Sequence, residues 1–150
     1  MTNKRKIILG GLIAGTLDGA AAVITFSNPL NLHNASKVFR YIAASLFGSQ
    51  AIQGGLVYAF IGLAIHFLIA TAWSAIYILL VFRVFKPGVL WAKIVLYAST
   101  IWVIMNGFVI TLAGLKAQYN GWSIMRSFCI ILFCVSIPIC IIGELRSKNN

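Results

Sequence analysis

The chain has 150 residues, of which 61% are hydrophobic and 9% charged, with a mean hydropathy of +0.96. Soluble domains carry about 25% charged residues, so this chain lacks the polar surface that water requires. Its formal charge of +10 comes from twelve Lys and Arg against two acids, placed in short groups between apolar runs; that is no basic face for nucleic acid, but it is how membrane topology is written.

A helix crossing about 30 Å of hydrocarbon needs roughly 20 apolar residues. Four segments qualify: Ile7 to Phe26, Leu56 to Phe82, Ile94 to Leu115 and Ser127 to Gly143. None alternates polar and apolar residues over ten positions, which argues against a β-barrel. The expected fold is all-α: an integral membrane four-helix bundle, one membrane domain over residues 1–150, with a short amphipathic helix on the outer side between spans one and two.

Span one follows Lys4, Arg5 and Lys6, which look like the start of a signal peptide, and Ala20 to Ala22 offer small residues for cleavage. Asp18 interrupts the apolar stretch, and twenty residues is long for a signal core, so a retained helix is expected. Within it Gly11, Gly15 and Gly19 recur every four residues. Small residues so spaced mark where helix backbones approach in lipid.

The connection from Ser27 to Gly55 is too long for a simple turn. Asn28-Pro29 and Asn31 to Asn34 supply turn chemistry, after which Ser36 can cap a helix running to about Phe47. On that helix Val38, Phe39, Ile42, Leu46 and Phe47 share a face opposite Lys37, Arg40 and Ala44. It is expected to lie in the interface plane, apolar side down, or as a packed lid over the outer mouth. Gly54 and Gly55 allow close contact or a bend before span two.

Span two is longer than a crossing needs and should tilt. Gly55, Ala59, Gly62 and Ala70 form its small-residue stripe, and His66 falls on it. In span three Asn106 shares a face with Ser99 and Trp102. Span four is near the lower length limit and can recruit Trp122 to Met125 as a first turn. In it Ser136 precedes Pro138, which cannot donate to the carbonyl of Cys134 and should kink the helix.

Basic residues near the span ends set the orientation. The N-terminus (Lys4, Arg5, Lys6), the loop after span two (Arg83, Lys86, Lys93) and the tail (Arg146, Lys148) carry eight; the other connections hold four, Lys37, Arg40, Lys116 and Arg126. Both termini are therefore expected in the cytoplasm. Trp91 on the inner side, with Tyr58, Tyr119 and Trp122 on the outer, fit interfacial anchors.

At 1.5 Å rise per residue, Asp18, Asn106 and Ser136 come to about 16, 18 and 17 Å from the inner boundary. His66, on the overlong span, comes to roughly 6–15 Å from the outer boundary. The expectation is a mid-membrane polar cluster of Asp18, His66, Asn106 and Ser136, with Gly11, Gly15, Gly19 and Gly62 as packing residues. A charge at the bilayer centre costs about 2.5–3.5 kcal/mol or more, so Asp18 must be protonated, paired or wetted. The cluster then fixes helix packing and association with a second copy or a partner, at about 1 kcal/mol per contact. Alternatively Asp18 and His66 pass a proton within a small transporter or channel-forming oligomer.

Other chemistry finds little support. Cys129, Cys134 and Cys140 lie at intervals of five and six, which matches no zinc or redox spacing and suits small packing residues. His33 stands alone in the outer loop, and the second acid, Glu144, sits at the cytoplasmic end. Ser136, His66 and Asp18 could be drawn as a hydrolytic triad, but no nucleophile motif accompanies them. No enzyme, cofactor, metal or nucleic-acid role is expected. The expected partners are the bilayer, anionic lipid at the cytoplasmic basic residues, and a second copy or a membrane complex.

Four stretches carry a resemblance: Gly11 to Gly19, Arg40-Tyr41-Ile42-Ala43, His66-Phe67-Leu68-Ile69-Ala70 and Val103-Ile104-Met105-Asn106. Together they resemble a group of short, uncharacterised bacterial inner-membrane proteins with four helices. The likeness fades in span four, where Ser136-Ile137-Pro138 occupies what looks like a Gly-x-Pro position. The resemblance implies a bacterial inner-membrane location and no assigned activity.

Overall fold

The computed structural model describes residues 1–26, 32–81, 89–109 and 120–145. Among these, every regular element is helical. The chain forms α1 (Asn3–Phe26), α2 (Leu32–Phe47), the single turn α3 (Gln50–Gln53), and α4 (Leu56–Val81), whose last turn widens to π geometry over Tyr77–Val81. Then come α5 (Leu90–Trp102), prolonged as a π segment over Val103–Val109, and α6 (Gly121–Glu144), with π geometry over Ile131–Ser136. Four of these helices, α1, α4, α5 and α6, are long and apolar enough to cross a membrane.

Small residues decide how they pack. Along α1, Gly10, Gly11, Gly15 and Gly19 face Ser74, Thr71, Phe67 with Ala70, and His66 in turn, an antiparallel register on α4. A Cβ at Gly11 would stand 2.6 Å from the Cα of Thr71, so only hydrogen fits there. The α1 glycine stripe is thus used within one chain. On α4, Gly62 abuts the Phe39 carbonyl and Ala43 nitrogen of α2, again with no room for a side chain.

The packing of α2 differs from the amphipathic expectation. Ala43 and Ala44 are its fully buried residues and Arg40 is buried, donating through Nη1 to the Gly54 carbonyl at 2.7 Å. Leu46 and Phe47 are exposed, while Arg40 and Ala44, expected on the face opposite the apolar one, are buried. The surface of α4 presented by Gly62 and Ala59 admits a backbone more closely than a large side chain, so small residues turn in. Phe47 meets Tyr58 edge-on and Phe39 meets His66; α2 therefore runs antiparallel along the first turns of α4 rather than lying across the bundle end. It also begins at Leu32, one turn before Ser36, which is a mid-helix residue and not a cap. The propensity penalty of residues such as His33 and Asn34 is at most about 0.7 kcal/mol each, too little to stop a helix that packs lengthwise. At its far end Gly48 takes φ +73° and donates to the Ala44 carbonyl, a left-handed stop that favours glycine.

Helix bounds shift as well. The second transmembrane helix keeps its expected start at Leu56, α1 begins four residues earlier than expected and α5 also four, while α6 begins six earlier, at Gly121. The side chain of Asn120 accepts from the Ser123 nitrogen and starts α6 there. Pro138 sits in the first turn after the π segment of α6: the widened turn absorbs the donor that proline lacks. Lys116, Tyr119, Arg83, Lys86, Arg146, Lys148, the Asn28-Pro29 turn and the side chain of His33 lie outside the described residues.

The buried core, with Tyr77, Ile94, Tyr97, Ile139 and Cys140 at its centre, occupies one half of the bundle. The other half, which carries α2 and the start of α6, encloses a cavity.

Candidate functional site

The cavity has a volume of about 720 Å³ and draws its walls from α1, α2, α4, α5 and α6. Asp18 of α1, His66 of α4 and Asn106 of α5 all line it. Asp18 and His66 share their helix faces with the small residues that bring α1 and α4 together, and Asn106 borders the same space from α5.

His66 is held tightly. It is buried, flanked edge-on by the rings of Phe39 and Phe67, and its Nε2 lies 2.8 Å from the Gly15 carbonyl oxygen. A carbonyl can only accept, so Nε2 carries the hydrogen. That leaves Nδ1 turned toward Asp18, whose Oδ2 stands 4.0 Å away. The neutral tautomer so fixed presents a lone pair to the carboxyl group. Two arrangements follow with the same total charge: a protonated carboxyl beside a neutral imidazole, or a carboxylate beside an imidazolium. At 4.0 Å the two atoms stand beyond direct hydrogen-bond distance. Asp18, less buried than His66, borders the cavity.

Asn106 faces the same space, and its amide nitrogen donates to the Trp102 carbonyl one turn back at 3.1 Å. Trp102 makes an interhelical bond nearby: its Nε1 donates to Ser127 of α6 at 2.9 Å. Two cations also line the cavity, Lys37 from α2 and Arg126 from α6. The sequence placed both on the outer side but gave no reason to bring them to Asp18 and His66. Their sequence distance hides the meeting.

Ser136 does not belong to the cluster. It is fully buried, donates to the Ile94 carbonyl at 2.7 Å and contacts Cys140, in the opposite half of the bundle. The depth count went astray because α6 starts at Gly121: fifteen residues separate it from Ser136, about 22 Å of rise rather than 13 Å. The cysteines divide: Cys140 packs in the core, Cys134 is half-buried and Cys129 is exposed.

Beyond Ser136 lies a second polar centre that the sequence did not reveal. Lys93, counted there as a loop cation, is a buried residue in the first turn of α5, paired to Glu144 at 2.6 Å. Tyr77 donates to the same Glu144 oxygen, and Tyr97 to the Trp73 carbonyl. Lys6 donates to the carbonyls of Gly143 and Leu145, satisfying the end of α6, where a cation also suits the helix dipole. This clamp closes the bundle at the end remote from the cavity. Trp91 and Trp122 are exposed at opposite ends, as interfacial anchors would be, while Tyr58 is half-buried against Phe47.

No protein-family model, curated protein or solved structure matches the chain. The site is therefore read from its own geometry.

Proposed function

We propose that this chain is a small multi-pass protein of a bacterial inner membrane, with both termini cytoplasmic, and that it works as a proton-linked transporter through the cavity lined by Asp18 and His66. No enzymatic step is assigned to it. One observation carries the reading. The acid and the imidazole stand 4.0 Å apart on the wall of a cavity of about 720 Å³, with Nε2 of the imidazole already committed to Gly15. A proton held between Oδ2 and Nδ1 adjoins whatever enters that space. Cavities of 300–1,000 Å³ are the size that small ligands occupy. The clamp of Lys6, Lys93 and Glu144 gives the space a closed end. The chain resembles short bacterial inner-membrane proteins, and its excess of basic residues on one side supports the orientation.

Asp18→Asn keeps size and hydrogen bonding but cannot titrate. In vesicles loaded with a pH-sensitive dye, the wild-type chain should dissipate an imposed proton gradient and the folded variant should not. Equal rates in both, or none in either, would sink the transporter reading.

A second reading is favoured by the His66–Gly15 bond at 2.8 Å: the polar groups order the packing of α1 on α4, and outward faces serve association with a second copy or a partner. It predicts that Asp18→Asn changes nothing while His66→Phe loosens the bundle.

A further inference from the structure

The wall of the cavity is thin on one side. α4 packs on α1 and α2, and α5 on α6; α4 and α5 meet through Tyr97 against Trp73 and Tyr77, and beside that contact runs a groove of about 1000 Å³. The groove runs along α4 from Ile65 to Val81, sixteen residues or about 24 Å of helix. Its lining is almost wholly apolar, with Lys93 at one end and Ser45 at the other. Ile69, Trp73 and Met105 line both spaces. They alone are common to the polar cavity and the apolar groove among the described residues, so the two are neighbours across these three side chains. Met105 is unbranched and adapts its shape easily, and it lies in the π segment of α5, a geometry frequent at functional positions.

From this adjacency we infer that the site takes a single-chain amphiphile with an acidic headgroup, its head in the cavity beside Lys37 and Arg126 and its chain crossing the partition of Trp73 and Met105, where the adaptable Met105 gives way, into the α4–α5 groove. The charges select the head. Asp18 is the one acid lining the cavity among the described residues, against the two cations Lys37 and Arg126, so positive charge is in excess there. An acid gains there what a zwitterion or a neutral head does not. The groove selects the tail: a space about 24 Å long and nearly free of polar groups suits one acyl chain and offers a compact polar solute nothing to bind. The inference rests on the cavity as the working part of the molecule, not on proton movement.

Quenching of tryptophan fluorescence by brominated chains tests it on the full-length protein in neutral detergent. Dibromostearate and a dibromo-acyl lysophosphatidic acid carry carboxylate and phosphate heads; the matching lysophosphatidylcholine is the zwitterionic control. Both acids should quench with at least tenfold higher affinity than the control, and Trp73→Phe should remove most of the quenching. Lys37→Gln, and Lys37→Gln with Arg126→Gln, should lower affinity for the acids by about tenfold, or about 1.4 kcal/mol, and leave the control unchanged. Ala72→Phe, which fills the groove without reaching the cavity, should weaken all three. If only one of the two acids binds, the head is fixed as that acid's type and the inference stands. Equal affinity for all three heads, or acids indifferent to Lys37 and Arg126, overturns it. An Asp18-dependent proton flux alongside that negative result would leave the transporter reading intact, so the two fail separately.

Discussion

Replacing Gly11 with alanine puts a methyl group into the backbone of α4. The new Cβ would lie 2.6 Å from the Cα of Thr71 and 3.0 Å from its Cβ, where ordinary contact begins near 3.4 Å. Neither neighbour is the end of a flexible side chain, so α1 and α4 must part by roughly the difference between 2.6 and 3.4 Å. A gap of about 0.5–1 Å forfeits a quarter to a half of each pairwise dispersion contact, and the separation is felt along the whole α1–α4 seam. Overpacked sites lose about 1–3 kcal/mol, while alanine regains about 1 kcal/mol of helix propensity. The expected net loss is about 0–2 kcal/mol, or about 1–3 kcal/mol relative to a glycine-to-alanine change without the clash, read from reversible unfolding in detergent or bicelles. Gly107→Ala is the internal control, because nothing lies within 4 Å of the Cβ it would add; it should be neutral or slightly stabilising. Equal behaviour of the two variants would refute the close packing of α1 on α4 on which the site's geometry depends.

The remote clamp makes its own predictions. Glu144→Gln leaves the buried Lys93 ammonium without its carboxylate and should destabilise by about 3 kcal/mol, the low end for breaking a buried pair, because Glu144 is partly exposed. Adding Lys93→Met should restore most of that loss in the same unfolding assay; no recovery would show that the pair is not the source. Ser136→Ala should cost about 1 kcal/mol through its lost bond to Ile94 without altering ligand or proton behaviour at the cavity. A changed flux in that variant would contradict its placement in the opposite half.

Periodicity made much of this legible in the sequence. The four-residue spacing of Gly11, Gly15 and Gly19 places them on one face, and in the structure that face meets α4. Asp18 and His66 fall on the same stripes and so converge. What failed was counting from a boundary: Ser136 was placed at mid-depth because the start of α6 was taken at Ser127 instead of Gly121. The face of α2 was misread for another reason. Its pattern was referred to the membrane interface, whereas the packing surface of α4 takes small residues and buries Arg40, Ala43 and Ala44. The clamp could not be read at all. Lys6 reaches across 137 positions to Gly143, and Lys93 across 51 to Glu144; no local pattern encodes such pairings. Lys37 and Arg126 reach the cavity for the same kind of reason.

The proposed proton exchange between Asp18 and His66 has a direct readout on the imidazole itself. With His33→Asn removing the other of the two histidines, nitrogen-15 spectra of selectively labelled protein in bilayers report each ring nitrogen of His66 across a pH series. Nε2 should stay protonated throughout, anchored to Gly15, while the Nδ1 signal should differ between the wild-type chain and Asp18→Asn. A bare Nε2, or an Nδ1 indifferent to Asp18→Asn at every pH, would contradict the account.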